Sequence, residues 1–211
     1  QPFAGCTASI YNTDSCAVSA GHCAGAGMVM EFKVPLSNPN CSLNHPPVAD
    51  QFPVSSYLFT NAGIGNDWLA MKVGTNNLGQ KPFDRYGALK PIGSNPQVGQ
   101  PATVWGYGVD DLCTVTQTQQ TASGDLAFVD ATSIRYNIDV TYGNSGSGVV
   151  RSGTEIVGIV TNCCCPDGGI GNTGRNIRLL ITIGRHTKTT ARLRDRRVSP
   201  LRRRHPLGRI T

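Results

Sequence analysis

Three residues of different chemical type stand in short segments that could together support nucleophilic catalysis. Ser145 lies in the glycine-rich segment "GNSGSG", His22 follows an apolar run in "SAGHC", and Asp67 precedes the apolar segment "WLAMKV". A serine hydroxyl is a weak nucleophile at neutral pH and needs an adjacent base. An imidazole, whose ordinary pKa is about 6.5, can accept that proton, and a carboxylate can orient the imidazole. Taken singly, each residue also has a structural interpretation, in packing for the histidine and in turns for the other two.

Short segments of alternating apolar and β-branched residues predict an all-β fold. Gly, Pro, Asn and Asp separate these segments, and no stretch of 12 or more residues before residue 175 keeps a helical period. Ten short strands indicate an antiparallel barrel or sandwich. The predicted strands span residues 6–11, 16–20, 28–34, 52–59, 68–73, 102–108, 114–120, 132–140, 148–152 and 155–162.

Composition divides the chain into two halves and a tail. The segment 85–101 is rich in Pro and Gly and is the candidate link, so the halves are predicted at residues 1–88 and 89–174. Residues 175–211 hold many arginines and few apolar side chains, and we predict that they are disordered. Two alternatives remain for this tail. It could be a binding arm for anionic polymers or surfaces, or the translation of a shifted reading frame.

The net charge of +6 belongs to the tail alone. Residues 1–174 hold 7 Lys and Arg against 12 Asp and Glu, a net charge of −5, whereas residues 175–211 hold 12 against 1, a net charge of +11. No aromatic residue alternates with the arginines to stack on bases. A nucleic-acid partner is therefore not expected.

Cysteine usage indicates an oxidising compartment. The chain has eight cysteines, an even number that would be high for a cytosolic protein, although about a hundred pairings are possible. The spacing of Cys16, His22 and Cys23 does not match known zinc motifs, and Cys163, Cys164 and Cys165 are consecutive, so no metal site is predicted. No apolar run approaches the ~20 residues needed to cross a bilayer.

The three segments, in the order His, Asp, Ser, resemble those of the trypsin/chymotrypsin-like serine peptidases. They are most similar to the bacterial, glutamyl-endopeptidase-like branch, over about residues 3–174. The resemblance implies two six-stranded antiparallel Greek-key barrels, the first with His22 as general base and Asp67 as its orienting partner. The second would carry the nucleophile Ser145, with an oxyanion hole formed by the N–H groups of Gly143 and Ser145. Asn144 stands where many animal members have the aspartate used in zymogen activation, as in the bacterial branch.

The resemblance also implies substrate-contacting residues. Asp139, six residues before the nucleophile, would line the base of the primary pocket and favour Arg or Lys side chains. Its alternative role is to cap a turn. Val160 replaces the histidine of glutamyl-specific relatives, which argues against acidic substrates. Thr161 and Asn162 would pair with the substrate backbone as an added strand.

Cys6 and Cys23 match the family disulfide that ties the histidine loop to the preceding strand, and the other six cysteines have no assignment. We therefore expect a secreted, monomeric serine endopeptidase that hydrolyses proteins or peptides through an acyl-enzyme. This chemistry needs no metal or organic cofactor. The alternative function is that of an inactive peptidase fold acting as an adhesin or toxin-like binding module.

Overall fold

The structure of the protein is a computed structural model that describes residues 5–86, 93, 95–153, 155–165 and 168–173. Two antiparallel β-sheets account for most of this part of the chain. One short α-helix, α1 (Pro82–Tyr86), lies between them in sequence. Single 3-10 turns occur at Gly21–Cys23, Val48–Asp50 and Cys113–Val115. No helix of the described residues is long and apolar enough to span a membrane.

The first sheet has five strands in the order β1-β2-β5-β4-β3. They are β1 (Ser9–Ile10), β2 (Cys16–Ser19), β3 (Val29–Glu31), β4 (Gln51–Asn61) and β5 (Asp67–Val73). Side chains of β5 alternate between buried and half-buried, because successive residues of a strand point to opposite faces. The buried core of this sheet consists of Ile10, Ala17, Met28, Met30, Phe52, Leu69, Met71 and Val73.

The second sheet is a closed six-stranded barrel in the order β10-β11-β8-β7-β6-β9. Its strands are β6 (Pro101–Gly106), β7 (Gln120–Val129), β8 (Ser133–Tyr136), β9 (Gly148–Arg151), β10 (Glu155–Cys165) and β11 (Gly168–Thr173). The barrel interior holds Ala102, Val104, Leu126, Ile134, Tyr136, Ile138, Val140, Val149, Val157 and Val160. Closure removes the free strand edges that an open sheet would expose.

The prediction of an all-β fold with two barrel-like antiparallel sheets is confirmed, but the first sheet differs in strand number. Among the described residues no sixth strand lies between β1 and β3, so this sheet stays open on that side. A cavity of about 420 Å³ lies beside the gap, and residues of both sheets, including Met30, Phe32, Trp105 and Ile156, line it.

One predicted strand, at residues 114–120, is wrong. The β-branched alternation there belongs to a turn, because the threonine side chains bind local backbone groups instead of projecting from a strand. Thr118 Oγ1 donates to the carbonyl of Val115 (2.7 Å), and the backbone N–H of Asp110 donates to Thr116 Oγ1 (3.1 Å). Two observed strands were not predicted: β7, which shares only Gln120 with a predicted strand, and β11, whose glycines conceal the strand pattern.

The strands of the two sheets occupy separate parts of the chain, residues 9–73 and 101–173. A disulfide between Cys41 and Cys113 connects the two parts. The exact boundaries at residues 88 and 174 stay predictions. The predicted disorder of the tail, residues 175–211, falls outside the described residues.

Candidate active site

His22 lies in the single 3-10 turn that follows β2. The preceding residue must be glycine, because a Cβ on Gly21 would lie 1.7 Å from the carbonyl oxygen of Thr60. The Cys6–Cys23 disulfide, with Cα atoms 6.2 Å apart, ties the turn to the segment before β1. The sequence thus brings the imidazole against the end of β4 and fixes its backbone there.

Asp67 is the first residue of β5, and it binds His22 twice. The backbone N–H of His22 donates to Oδ1 of Asp67 (2.8 Å), and Nδ1 of the ring lies 2.7 Å from Oδ2. A carboxylate can only accept, so Nδ1 carries the hydrogen and Nε2 of the neutral ring keeps a lone pair. Only 5% of Asp67 is exposed, whereas 35% of the His22 side chain is. The hydrogen bond to Asp67 raises the pKa of His22 above its ordinary value, against a smaller opposing effect of burial.

Ser145 lies in the loop between β8 and β9. Glycines at 143 and 146 have φ of +93° and +86°, in the left-handed region that favours glycine. The N–H of Gly146 donates to the carbonyl of Val160 on β10 (2.7 Å), and Val160 donates back to the carbonyl of Ser147 (2.9 Å). Hydrogen bonds to β10 therefore hold the C-terminal side of the loop in place.

The backbone N–H groups of Gly143 and Ser145 have no acceptor among the described residues. Within the part of the chain that the structure describes, neither Gly143 nor Ser145 donates a backbone hydrogen bond. By contrast, the N–H of Asn144, between them, donates to the carbonyl of Thr141 (3.1 Å), and that of Ser147 donates to the carbonyl of Asn144 (2.9 Å). Unpaired N–H groups of a serine and of the residue two positions before it are available to an incoming oxyanion.

Ser145 lies against the disulfide next to His22. Its carbonyl oxygen is 3.9 Å from Cys23 Sγ and accepts a hydrogen bond from the backbone N–H of Thr7 (2.7 Å). Among the described residues no hydrogen bond joins the Ser145 hydroxyl to His22. Such catalytic bonds are often long before substrate binds.

Sequence reasoning missed Thr7 and Ser19, two buried residues that contact the loop of Ser145. Ser19 Oγ donates to the carbonyl of Thr7 (2.6 Å) and lies 2.0 Å from the position of a Cβ on Gly146. Serine and threonine are common in and beside strands. Residue type alone therefore could not identify them as contacts of the serine loop, and only the packing of the two sheets shows that they lie against it.

The predicted substrate-contacting residues lie in different environments. Asp139 is exposed and lines a small cavity of about 130 Å³ together with Asp110 and Asn144. Val160 and Thr161 are buried on β10, whereas Asn162 is exposed. The Thr161 hydroxyl donates to Oδ1 of Asn162 (3.0 Å). A buried carboxylate at 139, as the specificity prediction assumed, is not what the structure contains.

The remaining cysteines form one further disulfide and leave one free thiol among the described residues. The Cys41–Cys113 disulfide was not predicted, and Cys16 is a free thiol on β2. Cys163, Cys164 and Cys165 had no predicted pairing, and their side chains lie outside what the structure describes. A His22 ring nitrogen lies within 4.8 Å of the sulfurs of Cys6 and Cys23, the single such cluster of the described chain. Both sulfurs are bonded to each other, so they offer no thiolate to a metal.

Two antiparallel barrel-like sheets, with a histidine turn on one and a glycine-rich serine loop on the other, define a double-barrel serine endopeptidase. The model of the trypsin family matches residues 2–178, and the chain belongs to this family. A comparison with curated proteins finds no significant match.

Solved structures share the fold at low sequence identity. The thermostable serine protease AL20 from an extremophilic microorganism is 15% identical, with a TM-score of 0.61 over 80% of this chain and 82% of that one. The protease Anisep from Arthrobacter nicotinovorans is 14% identical, with a TM-score of 0.63 over 80% and 81%. Neuropsin, a serine protease expressed in the limbic system of mouse brain, is 15% identical, with a TM-score of 0.60 over 83% and 87%.

Proposed function

We propose that this serine endopeptidase works through a triad of Ser145, His22 and Asp67. The pair of hydrogen bonds from His22 to the Asp67 carboxylate supports this most directly. Because Asp67 holds the Nδ1 proton, Nε2 is left to accept the proton of the serine hydroxyl. The carboxylate also stabilises the imidazolium that forms.

The reaction then proceeds in two halves. Ser145 Oγ attacks the scissile carbonyl while its proton passes to His22, and the resulting tetrahedral intermediate collapses when His22 protonates the leaving amine. The acyl-enzyme is hydrolysed by water, which His22 deprotonates before returning the proton to the serine. The unpaired N–H groups of Gly143 and Ser145 would stabilise the oxyanion in both halves, and loss of one such donor typically costs about 3 kcal/mol.

Specificity and the subfamily are part of the proposal. A preference for Arg or Lys would come from Asp139, and exposure of this carboxylate makes the expected preference modest. Membership of the bacterial, glutamyl-endopeptidase-like branch is supported by Asn144, whose buried amide replaces the zymogen aspartate. Two disulfides support a secreted protein that acts on extracellular proteins or peptides.

A fluorophosphonate probe tests the triad, because it labels only a serine that a working base and oxyanion hole activate. We expect the parent protein to be labelled at Ser145 and the Ser145→Ala variant to be neither labelled nor active on peptide esters. Ser147→Ala is the matched control. Its hydroxyl is buried and has no hydrogen-bond partner in the described structure, so its loss should leave labelling intact. Absence of labelling in the folded parent would favour the inactive binding module.

A further inference from the structure

Thr7 occupies the junction between the first sheet and the nucleophile loop. It follows Cys6 of the disulfide, precedes β1, and is only 3% exposed. Its backbone N–H donates to the carbonyl of Ser145 (2.7 Å), and its own carbonyl accepts from Ser19 Oγ (2.6 Å). Both backbone groups of Thr7 are thus used between segments that are distant in sequence.

The Thr7 hydroxyl forms a second bridge. Oγ1 donates to the carbonyl of Gly143 (2.9 Å) and accepts from the backbone N–H of Tyr107 (3.0 Å). Tyr107 directly follows β6, so one hydroxyl joins the end of a barrel strand to the loop, over sequence separations of 136 and 100 residues. A valine would fill the same space but leave a buried donor and a buried acceptor unpaired.

These bonds hold the peptide planes on both sides of Ser145 N–H. The carbonyl of Gly143 belongs to the peptide before the Asn144–Ser145 peptide, and the carbonyl of Ser145 belongs to the peptide after it. Thr7 binds both carbonyls. Since Gly143 has no Cβ and a φ of +93°, its own backbone offers little resistance to rotation of the Gly143–Asn144 peptide plane. The hydroxyl supplies that resistance from outside the loop.

We infer that Thr7 is a positioning residue for the oxyanion hole: its hydroxyl fixes the Gly143–Asn144 peptide, which lies between the two peptides that carry the N–H groups of Gly143 and Ser145, and thereby aims both groups. The inference rests on the proposed function, because it assigns Thr7 to that same site. Oxyanion-hole donors act only when they are aimed at the developing charge, so a small rotation weakens catalysis without weakening substrate binding. Thr7 touches no reacting atom itself.

The test compares Thr7→Val, which keeps the shape and loses the hydroxyl, with Thr7→Ser, which keeps the hydroxyl. We expect Thr7→Val to lower kcat for a peptide ester about 100-fold with KM little changed, as misplacement of catalytic groups does. Affinity for a peptide boronic acid, which mimics the tetrahedral intermediate, should fall by a similar factor. Thr7→Ser should restore most of both.

Thr118→Val is the matched control for stability. Thr118 is also buried, and its hydroxyl donates to the carbonyl of Val115 (2.7 Å) in a turn outside the site. The Thr118→Val variant should lose stability in urea unfolding as Thr7→Val does, yet it should keep the kcat of the parent protein. Equal loss of kcat in Thr118→Val, an inactive Thr7→Ser, or a Thr7→Val enzyme within about threefold of the parent would each overturn the inference.

Labelling of the parent protein distinguishes failure of the proposed function from failure of the role of Thr7 alone. A folded parent that a fluorophosphonate does not label at Ser145 overturns the proposed function and the role of Thr7 together. A parent that is labelled at Ser145, combined with a fully active Thr7→Val variant, overturns only the role of Thr7.

Discussion

The backbone N–H and the ring Nδ1 of His22 bind different oxygens of the same Asp67 carboxylate, at 2.8 and 2.7 Å. One side chain therefore fixes both where the histidine backbone lies and which way its ring faces. Gly21 makes this approach possible, since a Cβ there would also lie 2.8 Å from Oδ1 of Asp67. The arrangement couples the position of the imidazole to its tautomer.

Asp67→Asn should preserve the position of His22 and reverse its tautomer. The amide oxygen can still accept from the backbone, but the amide NH₂ must donate to the ring, so Nδ1 loses its hydrogen and Nε2 gains it. We expect kcat to fall about 10⁴-fold on a peptide ester with little change in stability. Glu31→Gln is the control, because Glu31 pairs with a different histidine, His45 (2.9 Å), and should keep full activity.

The pH dependence of kcat/KM should report the raised pKa of His22. The hydrogen bond to Asp67 favours the protonated ring, so the ring stays charged to a higher pH than a free imidazole. General-base catalysis needs the neutral ring, and activity should therefore fall as the pH drops through a midpoint above about 6.5. A midpoint at or below that value in the free enzyme would contradict the prediction.

Gly146→Ala should disturb the loop of Ser145 more than the strain of a left-handed alanine alone would. The new Cβ would lie 2.2 Å from the backbone oxygen of Thr7 and 2.0 Å from Ser19 Oγ, so the two sheets would have to separate locally. Gly99→Ala has a similar φ, +81° against +86°, with nothing within 4 Å. The control should lose only about 1–2 kcal/mol in urea unfolding. Gly146→Ala should lose more stability and most of its esterase activity, and equal losses would refute the explanation.

Asp139→Asn should reduce the preference for basic substrates by a modest factor. Because Asp139 is exposed, we expect kcat/KM for an arginine ester to fall about fivefold, with no change for a leucine ester. Added salt should diminish the difference. Asp110→Asn is the control, since Asp110 lines the same small cavity and should leave the arginine preference unchanged. An unchanged ratio in Asp139→Asn would return this residue to a turn-capping role.

Local pattern in the sequence was sufficient for the strands that have one apolar face. β5 was predicted to within one residue, because a short apolar run behind a turn residue indicates a strand, while its alternation of buried and half-buried side chains appears only in the structure. The segment 114–120 is richer in β-branched residues than β5, yet it forms a turn. There the threonine hydroxyls bind nearby backbone groups, a choice that residue type alone does not reveal.

By itself, the sequence determined the all-β class and the residue types available for catalysis, since periodicity and side-chain chemistry are local properties. Only the tertiary structure decided which groups meet: Asp67 on His22, Thr7 on the serine loop, and Cys41 on Cys113. Each pair joins segments that are distant in the chain. The Asp67–His22 pair depends on how the strands of the first sheet pair, and the other two depend on how the two sheets pack. The exposure of Asp139 was decided in the same way, because burial is a property of the assembled fold.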